Sequence, residues 1–115
     1  MEKTIKIGEQ EITLRSSLLT IITYKNTFGS DLFNDVSKLN VSRKNGVSNP
    51  THVIQILFQI IYALHKPFTK KNFEEFLNDF DFGVVSDEET ITSISEVIAE
   101  LLASQKRHGS NTVKP

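Results

Sequence analysis

The chain contains no cysteine and no tryptophan in its 115 residues. Without cysteine there are no disulfides, no thiolate metal sites and no thiol nucleophile. Such a composition suits a reducing cytosol. Glycine is sparse, and its five copies, Gly8, Gly29, Gly46, Gly83 and Gly109, stand apart. No loop therefore has the glycine spacing that cradles a phosphate. No serine lies in a Gly-x-Ser-x-Gly elbow. No apolar run is long. The greasiest stretch, Val53 to Leu64, includes Gln55 and Gln59 and falls short of the ~20 residues a bilayer span requires. The leading Met1-Glu2-Lys3-Thr4 lacks the apolar segment of an export signal. Charge of one sign is also missing in bulk: the net charge of −1 argues against a general nucleic-acid binder.

What is present is one domain's worth of chain, able to bury a core without staples, with charge unevenly placed along it. Val41 to Lys71 carries five bases (Arg43, Lys44, Lys66, Lys70 and Lys71) and no acid. Asn72 to Gln105 carries nine acids and no base, and the last ten residues are basic again. Solvated faces of opposite sign produce this pattern. It also suits a bipolar surface through which copies or charged partners meet.

Hydropathy predicts a mainly helical fold with an amino-terminal β-hairpin on about five helices. Thr4-Ile5-Lys6-Ile7 and Glu11-Ile12-Thr13-Leu14-Arg15 alternate about Gly8-Glu9-Gln10. A four-residue loop sets Ile7 opposite Ile12. A two-residue Gly8-Glu9 turn sets it opposite Gln10. Either keeps Ile5, Ile7, Ile12 and Leu14 on one face, whereas a three-residue loop splits them unless a bulge intervenes. Two strands alone are marginal in water, so this face must rest on a helix or another subunit.

A first helix is expected over about Ser17 to Phe28, with a buried stripe of Leu18, Ile21, Ile22 and Phe28, widened by Leu19 and Tyr24. Gly29 suits its C′ position. Ser30 is placed to cap a second helix buried through Leu32, Phe33, Val36 and Leu39. Asn40 to Asn49 reads as a mobile loop. Asn49-Pro50 opens a third helix to about Lys66, apolar nearly all round and suited to the centre of a domain or an interface. Thr69 is expected to cap a fourth helix to about Asp79, with Phe68 stapled on Phe73. Ser86-Asp87-Glu88-Glu89 opens a fifth, to about Ser104, on Ile91, Ile94, Ile98 and Leu101. The domain thus spans 1–105, and the polar 106–115 reads as a disordered tail.

Few residues suggest chemistry. His52 and His65 sit about 20 Å apart along one helix, and His108 lies in the tail, so no metal centre is expected. Asp79, Asp81 and Asp87 fail the spacing of a calcium loop. The pairs Glu74/Glu75 and Glu88/Glu89 read as exposed carboxylates, since a catalytic acid needs burial or a charged neighbour to shift it. No catalytic, metal or cofactor residue is assigned and no enzyme is expected. Five of the eight phenylalanines fall between Phe68 and Phe82. They read as a local core cluster, or else as a partner groove with Phe82 its exposed member.

The first forty residues carry a further signal. The hairpin Ile5-Lys6-Ile7-Gly8 to Glu11-Ile12-Thr13-Leu14-Arg15, the helix ending Tyr24-Lys25-Asn26-Thr27-Phe28-Gly29 and the following Ser30-Asp31-Leu32-Phe33 resemble the tail assembly chaperones of long-tailed bacteriophages, especially those of Gram-positive hosts. The resemblance implies binding to the tape measure protein and tail tube protein during assembly, in the cytoplasm of the infected host, and absence from the finished virion. It also implies many copies, hence a homo-oligomer. A chaperone of this kind lends apolar surface to a helical client. The expected contact residues are Ile5, Ile7, Ile12 and Leu14 on the hairpin, Ile56 and Ile60 on the third helix, and Phe82. The alternative is a small phage or host regulatory or inhibitory protein acting by protein or nucleic-acid binding, for which Arg43-Lys44 and Lys106-Arg107-His108 are the support.

Overall fold

The computed structural model describes the backbone of residues 2–44, 50–86 and 88–113, and side chains over 2–39, 52–84 and 89–102. An antiparallel hairpin, β1 (Glu2–Ile7) and β2 (Gln10–Arg15), leads into six α-helices among the described residues. These are α1 (Leu18–Phe28), α2 (Leu32–Lys44), α3 (Pro50–His65), α4 (Phe73–Leu77), α5 (Phe82–Ser86) and α6 (Glu88–Val113), with a 3-10 turn at Lys66–Phe68.

The hairpin turns on two residues. Ile5 pairs with Ile12, Lys3 with Leu14 and Ile7 with Gln10. Gly8 takes φ +64° and Glu9 does not share the positive sign, the pattern of a type II′ turn, whose twist matches that of the strands. Of the two even loops compatible with alternation, the shorter forms. Setting the polar Gln10 on the inner face is offset because its amide donates to the Asp79 carbonyl.

α3 is the central element, packed against β2, α1, α2, α4 and α6. Leu57, Ile60, Ile61 and Leu64 are wholly inaccessible. Its all-round apolar character follows from having neighbours on every side. At its carboxyl end the His65 Nδ1–H donates to the Thr13 carbonyl at 2.8 Å, which fixes that ring nitrogen as the protonated one and pins β2 to α3. β1 meets α6, whose Ile94, Ile98 and Leu101 close the core. A relay of rings from Phe28 through Tyr62 and Phe73 to Phe76 and Phe80, at centroid spacings of 4.9 to 6.2 Å, joins α1, α3 and α4. Most of the phenylalanine cluster is thus core.

Several boundaries differ from expectation. Asp31, not Ser30, caps α2, its carboxylate accepting from the Asn34 N–H at 2.9 Å. α2 continues to Lys44, into the expected loop; positions 45–49, including the Asn49 cap, lie outside the described residues, as does Asp87. The 3-10 turn delays α4, which starts from Asn72, not Thr69. Asn72 and Glu75 exchange side-chain and backbone hydrogen bonds at 2.8 and 3.0 Å, a reciprocal cap. Phe68 lies against His65 and 5.2 Å beneath the Arg15 guanidinium instead of stapling α4. α5 forms where the sequence pattern predicts no helix. α6 runs to Val113 where disorder was expected; Gln105, Lys106 and Arg107 are good helix formers that continue a helix already begun.

Candidate interaction surface

Most of the expected contact residues turn inward. Ile7, Leu14 and Ile60 have no accessible surface, and Ile12 and Ile56 keep 5 % or less. The hairpin's inner face and α3 bury each other within one chain, so Ile7, Ile12, Leu14, Ile56 and Ile60 present almost no surface. Ile5 is half-buried and lines a groove of about 390 Å³ between β1 and α6. Phe82 alone stands clear, 91 % exposed.

The most exposed aliphatic side chains among the described residues lie instead on α1. Leu18 is 74 % accessible, Leu19 55 % and Ile22 56 %. The expected inner stripe holds for Tyr24, Ile21 and Phe28, which are buried or packed on the core, and fails for Leu18, Leu19 and Ile22. The cause is polar. Thr20 and Tyr24 are the buried residues of this helix. The Thr20 hydroxyl donates to the Arg15 carbonyl at 3.1 Å and accepts from the Ser17 N–H at 3.2 Å, welding the end of β2 to the first turn. One turn on, the Tyr24 hydroxyl donates to Asp35 Oδ2 at 2.6 Å, with the Gln59 amide 3.1 Å away. These bonds bring α1, α2 and α3 together around one phenol. Burial, and then the hydrogen bond and negative charge of Asp35, raise the Tyr24 pKa far above its ordinary value, so the phenol stays protonated as a donor.

Helical geometry does the rest. Positions 18 and 22 lie two residues before 20 and 24, a rotation of about 200°. With Thr20 and Tyr24 held inside, Leu18 and Ile22 must face outward, with Leu19 on the neighbouring flank. The apolar residues of α1 span an arc of about 220°, wider than the face it buries, so hydropathy alone does not choose which part of that arc turns inward. The pairing of a helical tyrosine with an acid in the next helix was the signal that could have decided it.

Among the described residues no group of three or more His, Asp or Glu side chains could hold a metal ion. Nor is any helix long and apolar enough to cross a membrane. No family profile, curated protein or solved structure matches this chain.

Proposed function

We propose that the protein is a bacteriophage tail assembly chaperone, binding the tape measure protein and tail tube subunits in the cytoplasm of the infected host and leaving before the virion is complete. The hairpin–helix pattern of the first forty residues supports this reading. The observation that carries it is the outward ridge of Leu18, Leu19 and Ile22, which lies within that same stretch. A ridge of large aliphatic side chains at i, i+1 and i+4 is suited to the apolar stripe of an amphipathic client helix. Covering three such side chains is worth roughly 1 kcal/mol each, too little for a stable one-to-one complex. A client with a repeating apolar stripe offers many seats, and copies arrayed along it gain through avidity. The ridge thus fits a holder that must bind in number and later release.

Co-expression with a tape measure fragment tests this. The parent chain should keep the fragment soluble and co-purify with it, and Leu18→Ser with Ile22→Ser should abolish both while leaving the circular dichroism spectrum intact. A fragment equally insoluble with and without the parent chain would refute the proposal.

A further inference from the structure

The two edges of the hairpin are finished differently. Residues flanking a two-residue turn exchange hydrogen bonds, and bonded pairs then alternate along the strands. The bonded pairs are therefore Ile7–Gln10, Ile5–Ile12 and Lys3–Leu14. The backbone groups of Glu2, Thr4 and Lys6 on β1, and of Thr13 and Arg15 on β2, point away from the paired strand. On β2 those carbonyls are engaged: Thr13 accepts from the His65 ring and Arg15 from the Thr20 hydroxyl. On β1, Glu2, Thr4 and Lys6 find no backbone partner outside the hairpin among the described residues, and their side chains are exposed. Along the same strand runs the groove to α6, with Ile5, Ile94 and Val97 as its apolar lining. An open strand edge of this kind is a template for another strand.

We propose that a second copy of this chain adds here, β1 to β1, antiparallel about a two-fold axis at Thr4, to make a four-stranded sheet. The strand's own sequence selects that occupant. The axis sets Thr4 opposite Thr4 of the second copy, and Glu2 opposite its Lys6. These are the residues whose backbone groups point outward, so each pair exchanges both of its N–H···O=C bonds. On the solvent face Glu2 already holds Arg15, with both guanidinium contacts on the one oxygen Oε2. Lys6 of the second copy arrives on the other side of that carboxylate. Since Lys6 stands opposite Glu11 within each hairpin, the row across the four strands reads Arg15, Glu2, Lys6, Glu11, alternating in sign, and symmetry repeats it. Between the two rows lie the threonines, with the Thr4 and Thr13 hydroxyls 3.2 Å apart in each copy. A parallel, in-register pairing instead sets Glu2 on Glu2 and Lys6 on Lys6, and like charges repel. On the inner face Lys3 of one copy falls opposite Ile5 of the other. Its ammonium is held by Glu100 at 2.7 Å, which leaves its aliphatic stem to cover the Ile5 side chain at the groove. A strand of unrelated sequence lacks this mirrored pattern. Strands so short bury little area, so the dimer is weak and reversible. The pairing is independent of the tape measure reading.

Sedimentation velocity on the full chain tests this. The parent should pass from monomer to dimer as its concentration rises about a hundred-fold into the high micromolar range. The Thr4 and Lys6 amides should exchange with solvent more slowly at the upper end. Thr4→Pro removes an N–H that β2 does not use, at an edge position that accepts proline, so this variant should keep its circular dichroism spectrum and stay monomeric. Glu2→Lys and Lys6→Glu, both at exposed positions, should each weaken self-association about ten-fold or more by setting like charges opposite one another. An equimolar mixture of those two variants should dimerise again, because each presents the charges that the other lacks. This mixture decides the matter even if Thr4→Pro does not fold. A parent chain monomeric over the whole range would overturn the proposal, as would a mixture no better associated than its components. Self-association that survives Thr4→Pro and disappears in Leu18→Ser with Ile22→Ser would overturn it in favour of the α1 ridge.

Discussion

Replacing Tyr24 by phenylalanine removes a single oxygen from the point where three helices meet. The ring, wholly buried and packed 5.0 Å from that of Phe28, stays in place, so the loss is almost purely polar. Asp35, 5 % accessible, loses its 2.6 Å donor and keeps, among the described residues, Lys38 Nζ at 3.9 Å. The Gln59 amide loses the same hydroxyl. A hydrogen bond to a charged group contributes about 1.5–3 kcal/mol, and the buried acceptor left behind carries its desolvation penalty. For a chain of this size that corresponds to a fall in Tm of roughly 6–12 °C. Urea unfolding followed by circular dichroism should show a lower midpoint at unchanged m. Adding Asp35→Asn should cost less than the sum of the single changes, because the orphaned charge is then gone. The phenol also predicts a pH dependence. Its folded pKa is raised, so the unfolded chain loses this proton first, near pH 10, and the folded chain retains it. The stability that Tyr24 contributes is therefore complete below about pH 10 and declines as pH rises toward the folded pKa. The gap between parent and Tyr24→Phe should narrow in that alkaline window. A Tyr24→Phe chain as stable as the parent to within ~0.5 kcal/mol would show that this network does not orient α1.

Two further substitutions test the remaining framework. Gly8→Ala and Gly29→Ala both force a β-carbon into a left-handed backbone, at φ +64° and +74°, costing about 1 kcal/mol each. Only Gly8→Ala also meets a side chain, so its urea midpoint should fall further; equal losses would mean that the close approach of the turn to Val84 carries no energy. Ile60→Ala should destabilise by about 2–5 kcal/mol, and its calorimetric melting point would report core loss, not lost partner binding. A melting point unchanged by Ile60→Ala would place that residue outside the core.

Much of the framework was written in local sequence. Gly29 ends α1 as expected, with its N–H returning to the Lys25 carbonyl at 2.8 Å, because a left-handed cap depends on the residue at that position alone. Pro50 opens α3, and alternation in the first fifteen residues puts Ile7, Ile12 and Leu14 on one buried face. The candidate surfaces were less legible. Hydropathy points to Phe82 as exposed but places Leu18, Leu19 and Ile22 in the core, because an apolar arc wider than the buried face does not say which part of it turns inward.

The sequence by itself determined that there is a hairpin on helices, where α1 ends, and that α3 must be covered on nearly every side, since turn chemistry and a continuous apolar circumference act over a few neighbouring residues. Only the tertiary structure decided the hairpin register and the rotation of α1. The first depended on Gln10 reaching Asp79, the second on Tyr24 reaching Asp35 and Gln59. Those partners lie eleven to sixty-nine positions away along the chain. Their geometry exists only once the helices have packed, and the burial of one phenol then leaves three aliphatic side chains facing water.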